Sequence, residues 1–432
     1  MADKNGSSKP LRIVIAGAGF GGLYTALYLQ RFLPRGLSAE VTLLNEENFF
    51  LFTPLFSEVI TGDVEPSHIL TAVRSSLADP RFLFHQAAAT EVDLEQKILT
   101  AFCAKGHCLK MPYDYLVIAV GGQARLPDTQ SSNGKGQWVF PLKTLTDALL
   151  LHNQVLDMFE HAEMLSKDSP ERKQMLTFVV VGGGFAGVET VAALHDMIYG
   201  TLLRQYPHIN GEEVKIFLLH GGDRILPELT EELASYADRF MNRWRIEIKL
   251  GVHASLPSDG VVSIGETKIE TKTLIWTAGS TPMKFVEELP FGKDKGGRIV
   301  VDCCGRVAGH SNIFCLGDCA HQENPRTGQS YPPTAQVAIK QAKMAARNIA
   351  ALAGEKELMT FSFSPAGMVV PLGRRKAVAI VKGVRLRGLP AWWFSRTLYL
   401  LRLPTWSNRL RVVVDWTLDI FFPRDTTRIS VR

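Results

Sequence analysis

LRIVIAGAGFGGLYTALYL, residues Leu11 to Leu29, opens with a buried-looking β-branched run, turns on glycine and continues at helical spacing. Gly17, Gly19 and Gly22 form the pattern GxGxxG, with Phe20 and Gly21 between them. The first glycine allows a tight strand-to-helix turn, the second lets a pyrophosphate approach the backbone, and the third lets helix and strand pack closely. The helix start behind such a turn offers unpaired N–H groups and the positive end of a dipole to phosphate. Val41 to Leu44 reads as the next strand, so the unit is βαβ with parallel strands and its glycine turn a dinucleotide-binding site.

The pattern recurs. LTFVVVGGGFAGVETVAALHDM, Leu176 to Met197, places Gly182, Gly184 and Gly187 on a second turn about 165 residues after the first, and Val214 to Leu219 reads as its following strand. Further strand-like runs end at Gly122 (YDYLVIAVGG, containing Gly121), at Gly279 (TLIWTAG) and at Asp318 (IFCLGD). Lys143 to Leu165 has helical spacing and Ser166 to Arg172 reads as an exposed connection. The expected domains are a discontinuous first dinucleotide-binding domain, 11–135 plus 300–370, a second dinucleotide-binding domain, 140–295, and a C-terminal segment, 371–432, behind a loose arm, 1–10.

The residue that ends the strand after each turn bears on the ribose. An acid is usual there; the first unit has Asn45 followed by Glu46, and either can accept from a ribose hydroxyl. The second has His220. A carboxylate would bond a 2′-hydroxyl and repel a 2′-phosphate, so its absence, with Arg224 close by, admits NADPH; a plain hydrogen bond from His220 to the ribose of NADH is the alternative.

Composition narrows the class. The 432 residues, 46% hydrophobic, suit two or three folded domains. The six cysteines form no CxxC pair and no metal-ligand spacing, so they read as free thiols, with Cys315 and Cys319 as packing residues, and no metal site is expected. No apolar signal core occurs in the first ten residues and no run of 18 apolar residues anywhere, which excludes a spanning helix and implies no export signal.

With both turns in view, the chain resembles the two-dinucleotide-binding-domain flavoproteins, and within them the type II NAD(P)H:quinone oxidoreductases. The likeness runs from Leu11 to about Pro423. It is carried by both glycine turns, by FFLFTPLFSEVITG (Phe49–Gly62), YDYLVIAVGG and IFCLGDCA, and by YPPTAQVAIKQA (Tyr331–Ala342). The resemblance implies an α/β fold with two Rossmann-like domains in a glutathione-reductase-like arrangement, FAD at the first turn and NADH or NADPH at the second. It implies that Asp318 bonds the FAD ribitol, and that Ala335, Gln336 and Gln341 lie near the isoalloxazine and the quinone. It also implies that Glu189 faces the nicotinamide–flavin contact; a Glu in a first helical turn can instead serve only the dipole. Lys376, in LGRRKAVA, matches a flavin-proximal lysine loosely and reads equally as a solvated basic run. The redox cysteines of disulfide reductases and sulfide:quinone reductases are missing, since 45–65 holds no cysteine and none lies between Cys108 and Cys303.

The end of the chain has its own character. Residues 385–432 carry net +6 against +5 for the whole chain, all of the positive charge from Arg, and four of the seven tryptophans (Trp392, Trp393, Trp406, Trp416). Pro404 splits the segment into two short helices that suit the headgroup plane, with interfacial Trp and Arg. The expected partners are therefore a quinone, a membrane surface and a second copy of the chain, with no nucleic acid. The expected place is peripheral, on the cytoplasmic face of a membrane. The rival readings are an NADPH-dependent reductase of a biosynthetic quinone of the demethylphylloquinone kind, a soluble ferredoxin- or diaphorase-type reductase, and a redox-sensing flavoprotein that turns over slowly.

Overall fold

The computed structural model describes residues 9–127, 137–365, 367–373, 375–422 and 424–429. The arm expected at 1–10 lies outside them apart from its last two residues. The chain divides into two compact units. One comprises the residues up to Leu51, Leu70–Gln123 and Ser280–Pro365; the other comprises Phe52–Ile69, Ala124–Gly279 and the residues from Ala366 on.

In the first unit Leu11–Ala16 is a central strand of a five-stranded sheet. Ala39–Asn45 and Phe82–Gln86 lie to one side of it, Tyr115–Ile118 and Ile313–Cys315 to the other. All four pairings are parallel, with Ile13 opposite Val41 and Tyr115. Strands covered on both faces need apolar side chains at every position rather than at alternate ones. Ile13, Val14, Ile15 and Ala16 are accordingly all buried. The helix Phe20–Phe32 packs against the long helix Ala335–Leu352. An antiparallel meander, Ala88–Asp93, Ile98–Phe102 and Cys108–Pro112, joins the same core.

The second unit repeats the plan. Its parallel sheet runs Val139–Pro141, Thr273–Trp276, Thr177–Val181, Lys215–Leu219, Ile246–Lys249. Thr177–Val181 is buried at all five positions. The helix Leu145–Glu163 starts at a capping box, in which the Thr144 hydroxyl accepts from Asp147 N and the Asp147 carboxylate accepts from Thr144 N. The connection expected at 166–172 is partly helical instead. Ser169 caps Pro170–Met175, and Arg172 is almost wholly buried, donating to Glu213 at 2.7 Å and to the carbonyls of Ala162, Leu165 and His208. Four acceptors converge on one guanidinium, so a residue that looks like linker charge is an interior fastener.

The end of the chain belongs to this unit. A three-stranded sheet, Gly367–Pro371, Ala377–Val381 and Val384–Gly388, leads into helices Leu389–Arg402 and Trp406–Phe421, separated at Pro404 as the sequence implies. Their inward residues are Ala391, Ser395 and Tyr399, then Asn408, Val412 and Trp416, every fourth position. That spacing makes one narrow seam per helix. Beyond them, the Thr427 and Ile429 carbonyls accept from His152 and Asn153, and Arg424 pairs with Asp63.

Candidate functional site

The first glycine turn has the shape its sequence requires. Gly17 has φ +97°, and a Cβ there would lie 2.4 Å from Ala119 O. A Cβ on Gly22 would lie 1.7 Å from Gly17 O, so helix and turn are in backbone contact. Gly19 is the opposite case, with nothing within 4 Å of an added Cβ. The open side of the turn is thus at the second glycine, where a pyrophosphate needs it. No side chain caps the helix at Gly19, and its first turn carries no acid, so the positive helix end is left for an anion. The residues present fit a dinucleotide.

Around this turn the sequence-expected residues fall as follows. Asn45 Oδ1 accepts from Ala18 N at 2.9 Å and its Nδ2 donates to Glu47 O at 2.9 Å, so the side chain braces the turn itself. Glu46 is exposed next to it. Gly21 sits in the first helical turn, and Gly121, at φ +74°, follows the strand Tyr115–Ile118 with open space beside it. Asp318 lies on the single 3₁₀ turn Gly317–Cys319. That turn is held from behind. Gln341, 2% exposed, accepts from Gly317 N at 2.8 Å and donates to Gln322 Oε1 at 3.0 Å, and Gln322 donates on to Asp302 O at 2.9 Å. Both ends of the Gln341 amide are therefore engaged within the protein. Ala335 and Gln336 open the long helix, whose start is capped by the Thr334 hydroxyl accepting from Val337 N. Cys315 and Cys319 are wholly buried, with sulfurs 3.6 Å apart.

The second turn repeats the first. Gly182 has φ +116° and its Cβ would meet Thr277 Oγ1 at 2.5 Å, while a Cβ on Gly187 would lie 1.8 Å from Gly182 O. Gly184 is open, with only Glu228 Oε1 at 3.9 Å, and no side chain caps the helix Phe185–Met197 there. His220 does what Asn45 does, since its Nδ1 accepts from Gly183 N at 3.1 Å. Gly279 has φ +75° beyond the strand Thr273–Trp276. Arg224 Nη2 donates to Pro227 O. Lys376 is exposed, its ammonium 5.8 Å above the ring of Phe240.

Glu189 is the fifth residue of the helix Phe185–Met197, past the first turn, so service to the helix dipole does not explain it. Tyr399 Oη donates to its Oε1 at 3.4 Å, and the Tyr399 ring meets Phe52 edge-on. Burial pushes the Glu189 carboxyl up to about 8; the Tyr399 hydrogen bond opposes this and the nearby charge of Glu58 adds to it. Trp416 Nε1 donates to Glu58 Oε2 at 2.5 Å, so both C-terminal helices reach these carboxyls. The same unit holds a second raised carboxyl, Asp63, pushed up to about 7 by burial although Arg424 opposes it. Sequence reasoning missed Glu58, Phe52 and Tyr399, and it read Trp416 as an interfacial tryptophan although it is buried against Glu58. The signal available was the every-fourth-residue pattern of the tail, which marks an inward seam but not what it touches.

The chain matches the family described as Pyridine nucleotide-disulphide oxidoreductase over residues 11–342. It is 31% identical to the demethylphylloquinone reductase NdbB of Synechocystis sp. over 94% of this chain and 95% of that protein. It is 30% identical to the type II NADH:quinone oxidoreductase NdhA of Mycobacterium tuberculosis, over 94% and 87% respectively. In fold it is similar to NDH2 of Plasmodium falciparum in complex with NADH, with a TM-score of 0.86 at 21% identity, covering 97% of this chain and all of that one.

Proposed function

Because the chain belongs to the type II NADH:quinone oxidoreductases, within the pyridine nucleotide-disulphide oxidoreductases, we propose that it carries two electrons from NADH or NADPH to a membrane quinone through FAD, without pumping protons. The observation that carries this reading is the pair of glycine turns, each closed at its first and third glycine and open at its second. Bound FAD would supply the two-electron chemistry, taking hydride from the nicotinamide and passing electrons to quinone.

The chain's own residues bind and orient. Gly17, Gly19 and Gly22 and the helix start behind them would hold the FAD pyrophosphate, and Gly182, Gly184 and Gly187 that of the nicotinamide dinucleotide. Asp318 would bond the ribitol; Gln341 fixes the Gly317 turn that presents it and is a positioning residue. We assign Gln336, in the first turn of its helix, to the quinone. Glu189, raised by burial, keeps a proton at neutral pH in the second unit.

The C-terminal helices would rest on the cytoplasmic face of a membrane. Outside their inward seams they expose Trp393, Leu401, Trp406 (80%), Leu410 and Phe421 (75%), more apolar surface than a helix pair in water usually shows. Arg409 stacks over the exposed Trp406, which would hold a cation at the depth of lipid phosphates. No helix among the described residues is long and apolar enough to cross a bilayer. A second copy of the chain would share this face in a homodimer. A biosynthetic quinone is the second reading, favoured by His220 standing where NADH-selective sites carry an acid. Steady-state oxidation of NADH and NADPH against a series of quinones tests the proposal. Turnover that depends on quinone is expected, and none with any quinone would remove it.

A further inference from the structure

The strand Ile299–Val301 ends in a tight turn whose corner is two adjacent cysteines, Cys303 and Cys304. Gly305 N donates to Asp302 O at 3.0 Å across them, and Asp302 Oδ1 accepts from Cys304 N at 2.8 Å and from Arg306 N at 2.9 Å. The carbonyls of the turn are held as well: Asp302 O by Gln322 Nε2, Cys303 O by Phe361 N and Cys304 O by Asn348 Nδ2. A backbone fixed in this way sets the two thiols side by side, with their sulfurs 3.9 Å apart. Cys303 is exposed and Cys304 is 7% exposed, so a reagent from solvent reaches one sulfur and finds the second beside it.

The spacing decides what such a pair can hold. Neighbouring Cα atoms stand about 3.8 Å apart, short of the roughly 4.4 Å that an ordinary disulfide spans at its tightest. A single centre bonded to both sulfurs at about 2.3 Å, the length of a zinc–thiolate bond, holds them about 3.8 Å apart at a tetrahedral angle and about 3.3 Å apart at a right angle. The turn therefore suits a bridging atom better than a direct bond. A bare cation is a poor occupant for two reasons. Among the described residues no group of three or more His, Cys, Asp or Glu could hold a metal ion. Burial, with the hydrogen bond to Cys303, also pushes the Cys304 thiol up to about 11, so a cation would have to expel a proton that is held at neutral pH. A trivalent arsenical makes no such demand. In R–As=O the oxygen leaves as water with both thiol protons, two As–S bonds replace the As=O bond, and arsenic stays trivalent, so nothing is oxidised or reduced.

We propose that Cys303 and Cys304 form a vicinal dithiol site that captures trivalent arsenicals, Cys303 making the first As–S bond from the surface and Cys304 closing the chelate. The other close pair, Cys315 and Cys319, has its sulfurs 3.6 Å apart but is wholly buried, so it is closed to such a reagent. The site owes nothing to the glycine turns or to the proposed electron transfer and stands or falls without them.

The probe is phenylarsine oxide, added to the reduced full-length chain, with bound arsenical counted by intact-protein mass spectrometry after a wash in excess monothiol. One arsenical per chain is expected to survive the wash and to leave when a competing dithiol, dimercaptopropanol, is added. Closing the second bond within one chain should raise retention against monothiol by about 100-fold or more. Cys303→Ser, at an exposed position, is expected to lose that retention, and Cys304→Ser likewise; Cys103→Ser combined with Cys108→Ser is expected to keep it. Wild type that holds no arsenical through the wash overturns the proposal. So does Cys303→Ser that holds one as firmly as wild type, and this variant decides the matter even if Cys304→Ser, at a buried position, fails to fold.

Discussion

Gly19 and Gly22 sit three residues apart and fail for different reasons when a methyl is added. At Gly22 the methyl would meet Gly17 O at 1.7 Å, inside the fold, whereas at Gly19 it meets nothing. Gly22→Ala should therefore lower the melting temperature or prevent folding. Gly19→Ala should melt close to flavin-free wild type yet purify with little flavin, because the methyl fills the space reserved for pyrophosphate. Flavin absorbance per chain and a melting curve separate the two, and a flavin-replete Gly19→Ala would show that the turn holds something else. Glu189 gives a pH signature. Its carboxyl stands near 8 when folded against an ordinary 4.5, so the folded chain keeps a proton that the unfolded chain has released. Its contribution to stability is full below about 4.5 and is lost as pH rises through about 8. Asp63, raised to about 7, acts in the same direction. Glu189→Gln should thus flatten, without abolishing, the fall in melting temperature between pH 5 and 9; an unaltered slope would mean that Glu189 ionises freely. The glycines were legible in the sequence because a steric rule ties residue type to backbone shape. The raised carboxyl was not, since it depends first on burial among elements distant in sequence, with the charge of Glu58 adding to it, and nothing local announces such a meeting.

Among the elements, the strands that carry both turns were readable because apolar side chains at every position mark a doubly covered strand. The two helices parted at Pro404 were readable from the proline that separates them. Pro170–Met175 was not, because a short capped helix rich in charge looks like a connection until Arg172 is seen buried against Glu213. The attachment of Phe52–Ile69 and of the tail to the second unit also had no local signal, as it rests on long-range contacts such as His68 with Asp415 and Arg424 with Asp63. These contacts dictate how the membrane foot is tested. Cutting the chain near residue 385 would strip Tyr399, Val412 and Trp416 from the interior, so a truncated chain would report misfolding. Trp406→Ser with Leu410→Asp changes only exposed positions. That double variant should keep its melting temperature and lose most of its flotation with anionic liposomes, and equal flotation of variant and wild type would remove the foot.

For the whole molecule, the repeat is the central fact. One chain builds the same parallel-sheet turn twice, braced by Asn45 in one unit and His220 in the other. A single such turn would suit any dinucleotide enzyme. Two suit a donor and an acceptor of hydride, and the full-length likeness to quinone reductases names the final acceptor's class. The most direct measurement is anaerobic stopped-flow absorbance of the purified yellow chain, mixed first with NADH and then with a quinone. The expected result is bleaching of the flavin band by NADH and its full return on adding quinone, each faster than steady-state turnover. A colourless chain that takes up no FAD, or a flavin that NADH cannot bleach, would contradict the account.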